Sequence, residues 1–271
     1  MNDNFLYRDV PALGRRVFRL GLAANYGVEG VDLEWALEQG VNYVLWTPKA
    51  QQVTKSLKTA IKRNRESFIL ACGPTTGYFA RGIRRACHRL LKELDTDYLD
   101  VFQLFWLGRT SAWTSSTIDA LVSLRESGMV RAIGVSIHDR KRAGRLAEDS
   151  PLDMLMIRYN AAHTGAEHDI FPLLAKRKLA IVAYTATRWQ GLLKRPKGWN
   201  GPVMTAPDCY RFCLSNPHVD LVLTGPKDRR QLQENLSVLR EKGPLSEEEN
   251  RWIRDFGRIV HEGSSRFTFR F

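Results

Sequence analysis

Several absences narrow the reading of this chain of 271 residues. It has no uninterrupted apolar run of about eighteen residues, so no transmembrane helix and no membrane partner are expected. The opening segment MNDNFLYRDVPALGRR holds no apolar core long enough for a secretory signal. Cysteine is scarce, with 4 residues in no clustered spacing, which argues against a disulfide scaffold and suits a reducing cytoplasm. No GxGxxG fingerprint occurs, which argues against a Rossmann domain. Acids are few beside bases, 29 Asp and Glu against 41 Lys and Arg, giving a formal net charge of +12. That surplus favours anionic partners. The bases are dispersed, with short runs only at Arg140–Arg142 and Lys194–Lys197. With no RNA-binding aromatic motif or zinc-finger spacing, nucleic acid is disfavoured and a small anionic ligand is expected.

The residues present suit a globular protein, 44% hydrophobic and 26% charged. Short apolar runs alternate with amphipathic stretches. Strands are expected at Val17–Leu22, Tyr43–Trp46, Phe68–Cys72, Leu99–Leu104, Ala132–Val135, Met154–Ile157, Ile181–Tyr184 and Leu221–Leu223. None shows the polar alternation of a half-exposed strand, so both faces should be buried. Helices are expected between them at Asp32–Gln39, Thr54–Arg63, Ile83–Lys92, Ile118–Glu126, Arg140–Ala147, Ile170–Lys176, Pro207–Leu214 and Arg229–Leu239. A further helix opens at Ser246, whose hydroxyl can cap it ahead of three glutamates. Eight strand–helix repeats without a linker predict one α/β domain over residues 1–271, a (β/α)8 TIM barrel.

In such a barrel, chemistry gathers on the loops at the carboxyl ends of the strands. The sequence places there Asn25 and Tyr26, then Trp46, Thr47 and Lys49, then Cys72, Pro74 and Thr75, then Gln103, Phe105 and Trp106. The second half supplies Ser136, His138 and Asp139, then Tyr159, Asn160 and His163, then Tyr184, Thr185 and Arg188, and finally Thr224, Gly225 and Lys227. Aromatics and cations dominate and carboxylates are few, which fits a flat anionic ligand better than a metal site. Trp46, Phe105 and Trp106 could belong to the core, but their places at strand ends also suit an aromatic pocket wall. Cys209 and Cys213 with His218 lack a fourth ligand, so no metal is expected.

The ordered segments resemble the aldo-keto reductases from residue 13 nearly to residue 257. LGRRVFRLGL at 13–22 is similar to that family's opening hairpin and first strand, and GVNY at 40–43 to the start of its second strand. DYLDVFQLFW at 97–106, GMVRAIGVS at 128–136, YN at 159–160, VAYT at 182–185 and GLL at 191–193 follow in order. TGPKDRRQLQEN at 224–235 is similar to the segment that closes the barrel on the cofactor. The resemblance implies an N-terminal hairpin, a TIM barrel and NADP(H) as cofactor. It also implies a Tyr proton donor supported by Lys and Asp, with a His that polarises the carbonyl. The positions matched to those Asp, Tyr, Lys and His residues are Leu45, Ala50, Gly73 and Phe105.

For the cofactor, the resemblance implies contacts from Ser136 and Tyr184 at the nicotinamide, although Ile137 and Met156 stand where the family has Asn and Gln. It implies Gly225, Lys227, Gln231, Glu234 and Asn235 at the phosphate and adenosine end. Three readings follow: a binding protein for NADP(H) or another phosphorylated ligand without standard carbonyl reduction, an active NADP-dependent oxidoreductase with relocated chemistry, or a non-enzymatic scaffold with a basic face. Lys49, His138 and His163 are the candidate catalytic groups for the second, with Tyr78 beside them.

Overall fold

Short strands that are apolar on both sides stay dry when both faces are covered, which a barrel achieves by closing on itself inside a ring of helices. The computed structural model, which describes residues 3–177 and 179–265, has that arrangement. Eight parallel strands form a closed barrel: β3 (Leu20–Ala23), β4 (Tyr43–Leu45), β5 (Ile69–Cys72), β6 (Leu99–Leu104), β7 (Val130–Ile137), β8 (Met154–Arg158), β9 (Ala180–Tyr184) and β10 (Leu221–Thr224). The last strand returns to pair with β3. An antiparallel hairpin of β1 (Tyr7–Val10) and β2 (Arg15–Phe18) precedes them. A short α1 (Asp3–Leu6) leads into that hairpin.

The helices around the barrel are α2 (Gly30–Glu38), α3 (Gln51–Asn64), α4 (Ala80–Leu94), α5 (Ser115–Glu126), α6 (Arg140–Glu148), α7 (Ala166–Asp169), α8 (Ala206–Ser215), α9 (Arg229–Lys242) and α10 (Glu247–Ser265). Their starts obey local chemistry. Thr114 and Thr205 build reciprocal capping pairs with Thr117 and Asp208. Ser246 and Glu249 do the same at α10, as its sequence predicts.

Two expected elements break up. The run Val17–Leu22 divides at Arg19 into β2 and β3. The Arg19 side chain is buried and donates to the carbonyls of Phe5, Leu214, Val219 and Asp220, so the chain bends there to satisfy it. Burial, together with Arg8, lowers its pKa to about 10. The expected helix Ile170–Lys176 is instead the short α7 followed by a 3-10 turn over Phe171–Lys176. Pro172 has no N–H with which to continue α7.

Inside the barrel, Tyr43, Leu45, Ile69, Ala71, Val101, Ala132, Met154, Met156, Val182, Leu221 and Leu223 form one cluster. Val10 and Val17 of the hairpin, with Ala12 and Leu13, join it from the amino ends of the strands. At that same end Asp100 is buried, accepting from the Leu70 N–H at 2.8 Å and from Arg65 at 2.7 Å. Arg65 and Arg131 stand over the Tyr98 ring at 4.1 and 3.9 Å. The amino end is therefore packed, and the functional candidates lie at the other.

Candidate functional site at the carboxyl end of the barrel

Strand side chains alternate in direction, so the row that lines the barrel interior continues upward every second residue. On β8 it runs Met154, Met156, Arg158; on β9, Val182, Tyr184; on β6, Val101, Gln103, Phe105; on β5, Ile69, Ala71 and then Gly73. Arg158 and Tyr184 are register partners across β8 and β9. His138, two residues beyond Ser136, reaches the same level from β7, and its Nε2 lies 2.8 Å from the Tyr184 hydroxyl. The Trp106 ring stands edge-on to His138 at 5.9 Å, and Tyr184 does so at 5.8 Å.

The loops that carry these groups are tied to one another. The Ser136 hydroxyl accepts from the Trp106 N–H at 2.8 Å, fixing Trp106 in a left-handed conformation at φ 47°. Asn160 is fully buried and donates to the Thr185 carbonyl at 2.9 Å. Its Oδ1 accepts from the Ala162 N–H and meets His163 Nδ1 at 3.1 Å. Thr185, Arg188, Trp189 and Gln190 all have left-handed φ between 48° and 67°, a conformation costly for residues with a Cβ.

The electrostatics of this end are cationic. Burial lowers the pKa of His138, and the charges of Arg158 and Arg109 lower it further. Burial pushes His163 down to about 3, with Arg158, Arg188, His261 and Arg140 adding to the effect. Both shifts favour the neutral imidazole. Burial raises the Tyr184 phenol, against which Arg158 acts in the opposite direction.

The residues singled out by sequence fall in different places. Leu45 lines the barrel interior, and Phe105 packs on that cluster half-buried. Ala50 caps α3 and is buried in the outer layer between strands and helices. Gly73 stands against β6: a Cβ built there overlaps the Gln103 carbonyl oxygen outright. Beneath Phe105, Gln103 is fully buried, and its Oε1 has no hydrogen-bond partner among the described residues. Lys49 is exposed and has neither a hydrogen bond nor an ion pair among the described residues, and Tyr78 is 42% exposed. Trp46 does not wall the pocket; it is fully buried, with Nε1 donating to the Thr54 hydroxyl at 3.1 Å. Its backbone sits at a strand end, but the apolar volume under α3 claims the ring.

At the closing segment, the Lys227 side chain is exposed while its backbone N–H donates to Gln231 Oε1 at 3.0 Å. Asp228 caps α9 by accepting from the Gln231 N–H. Gly225 lies under the Tyr26 ring, which a Cβ there would meet at 2.5 Å. Glu234 is exposed, whereas Asn235 is buried and donates to the Thr224 hydroxyl at 3.1 Å. Cys209 and Cys213 are buried thiols with raised pKa. Among the described residues no group of three or more His, Cys, Asp or Glu side chains could hold a metal ion. Sequence reasoning does not single out Arg158, although its place two residues beyond Met156 on a barrel strand is the signal that finds it.

Comparison with known proteins gives these features a family context. A profile of the aldo/keto reductase family matches residues 36–206. Protein tas of Escherichia coli is 28% identical over 177 aligned residues, 48% of this chain and 51% of that protein, so the chain spans about half the length of that relative. The uncharacterized oxidoreductase YqkF of Bacillus subtilis is 23% identical over 89% of this chain and 90% of its own length. Among solved structures, the holo form of aldo-keto reductase AKR11C1 from Bacillus halodurans superposes with a TM-score of 0.77 at 22% identity, covering 92% of this chain and 95% of that one. An aldo-keto reductase from Klebsiella pneumoniae in complex with NADPH gives 0.74 at 20% identity, covering 90% and 93%.

Proposed function

The chain belongs to the aldo/keto reductase family, and from that premise we propose that it binds NADP(H) or another phosphorylated ligand at the carboxyl end of its barrel without performing standard carbonyl reduction. The observation that carries this reading is Gly73, at the position matched to the family's lysine. It abuts the Gln103 carbonyl so closely that no side chain fits without parting β5 from β6. Leu45 and Phe105, matched to Asp and His, offer the barrel interior no proton, and Ala50, matched to Tyr, is enclosed in the outer layer. Losing one positioned acid costs roughly 10²–10⁴ in rate, and here the whole set is replaced.

The fit to a dinucleotide differs between its two ends. At the phosphate and adenosine end, the exposed Lys227 supplies charge, and Gln231 and Glu234 stand on the adjoining turns of α9. Gly225 keeps the backbone low enough for Tyr26 to lie on it. At the nicotinamide end, Tyr184 offers a ring face, but the Ser136 hydroxyl already accepts from the Trp106 N–H. When bound, a nicotinamide cofactor supplies hydride. This chain's contribution is to hold the charged portion and to present Tyr184, with no proton delivered from the family positions.

One observation favours a second reading, the relocated enzyme. The Tyr184 hydroxyl and His138 Nε2 are 2.8 Å apart in the mouth, a pairing through which a phenol could exchange a proton. Titration calorimetry with NADPH, followed by NADPH oxidation assays over aldehydes and ketones, separates the two. Heat of binding without turnover supports the first reading. Steady turnover that His138→Ala and Tyr184→Phe abolish replaces it with the second. Absence of NADPH binding overturns the dinucleotide form of the proposal.

A further inference from the structure

We propose that the barrel mouth contains an oxyanion subsite, built by Arg158 and Arg188 beside the Tyr184 hydroxyl, that takes the carboxylate or phosphate group of a small-molecule ligand. It deepens the ligand-binding reading above and rests on it, because it names the group by which that ligand is recognised.

Most half-buried arginines in this protein are paired; Arg158 and Arg188 in the mouth are not, a condition shared among the described residues by Arg142 on α6, which hydrogen-bonds only through its backbone N–H. Arg65, Arg125, Arg211, Arg229 and Arg254 each face a carboxylate within 2.8 Å. Arg19 is satisfied by four carbonyls and Arg177 by the Ser150 hydroxyl and Leu152 carbonyl. Arg158 and Arg188 are half-buried, yet among the described residues neither side chain has a carboxylate within 4.0 Å or a hydrogen bond. A guanidinium withdrawn from water without an acceptor is costly. The nearby carboxylates are engaged: Asp139 accepts from the Arg142 N–H, and Asp169 binds Arg140. An external oxyanion is what completes the pair.

The backbone supports the same conclusion. Arg188 is one of four left-handed residues in the segment Thr185–Gln190, a segment held by Asn160 through the Thr185 carbonyl. Strain of this kind persists where surrounding contacts over-determine it, and it gathers at ligand clamps. A planar guanidinium also matches a carboxylate or phosphate through paired N–H donors. The lowered pKa of His138 and of His163 fits the same field, since both imidazoles sense Arg158. The exposed rings of Trp106 and Trp189, each adjoining this mouth, would cover an apolar body attached to the anion.

The test uses the intact protein, with inorganic phosphate and benzoate as separate probes in calorimetric titrations. Either probe should bind, and Arg158→Gln should weaken it about ten- to a hundred-fold, as loss of a charge-assisted hydrogen bond does. Phosphate preference assigns the subsite to a phosphoryl group, and benzoate preference to a carboxylate. Arg188→Gln should act in the same direction, Arg158→Lys should restore part of the affinity, and Arg258→Gln, an equal change of charge on the exposed face of α10, should leave it unchanged. Should Arg158→Gln not fold, the His138 ring resonances of the wild type give the answer, shifting on addition of a probe. Failure of both probes to bind, or equal weakening by Arg158→Gln and Arg258→Gln, overturns the subsite. NADPH is titrated into the same preparation. Anion binding without NADPH binding retires the dinucleotide reading alone, and NADPH binding without an Arg158-dependent anion site retires this inference alone.

Discussion

Replacing Gly73 by alanine tests the steric argument directly. The residue follows β5, whose Ala71 and Cys72 pair with Val101 and Phe102 of β6. An added Cβ would overlap the Gln103 carbonyl oxygen and come within 2.9 Å of the carbonyl carbon and 3.3 Å of the nitrogen. All three are backbone atoms of a buried strand, so no rotamer change relieves the clash. Gly73 is not among the residues with left-handed φ, so the penalty is steric and owes nothing to lost glycine freedom. Forcing extra volume into a packed interior costs about 1–3 kcal/mol, and loosening one or two ladder hydrogen bonds adds about 1 kcal/mol each. The expected loss is therefore about 2–5 kcal/mol, read as a lowered urea midpoint at unchanged slope. Gly82→Ala is the internal comparison. It lies on α4 with nothing within 4 Å of an added Cβ, and should instead gain about 0.5–1 kcal/mol. A Gly73→Ala protein within about 0.5 kcal/mol of wild type would refute the reasoning. The same clash means that the combined set Leu45→Asp, Ala50→Tyr, Gly73→Lys and Phe105→His should not recover carbonyl reduction.

Two further outcomes follow from the ionisable groups. Because His163 is held near 3 in the fold against 6.5 when unfolded, the unfolded chain takes up a proton below about pH 6.5 that the folded chain refuses, and stability falls with pH across that interval. At about pH 5 the full shift would be worth at most about 2 kcal/mol; partial exposure reduces this to about 1 kcal/mol. His163→Gln should lose correspondingly less between about pH 8 and pH 5, and an identical loss in both proteins would count against the assignment. Asp100→Asn, which leaves Arg65 and Arg131 without their buried partner, should cost about 3 kcal/mol or more in chemical denaturation, whereas a cost below about 1 kcal/mol would mean that solvent reaches the pair.

The barrel could be read from the chain because its strands are uniformly apolar and its helices amphipathic, patterns that survive without knowledge of partners. The breaks at Arg19 and Pro172 were hidden for opposite reasons. Arg19 interrupts a strand because of four carbonyls distant in sequence, whereas Pro172 acts locally but sits inside an apolar run that imitates a helix. The mouth was only half legible. Phe105, His138 and Tyr184 follow from where strands end, but whether Trp46 turns outward or inward depends on the volume beneath α3. Arg158 resembles any other cation in a basic sequence until strand register sets it beside Tyr184, where among the described residues no carboxylate meets it. The closeness of Gly73 to Gln103 depends on the spacing of two backbones, which no residue pattern records.

The hairpin of β1 and β2 acts as a stopper. With Val10 and Val17 wedged into the lining and Arg19 bolting the chain beneath them, one end of the cylinder is sealed to solutes. A ligand of the kind proposed above would therefore have to enter and leave by the opposite end, so that departure of one molecule and arrival of the next would compete for a single threshold.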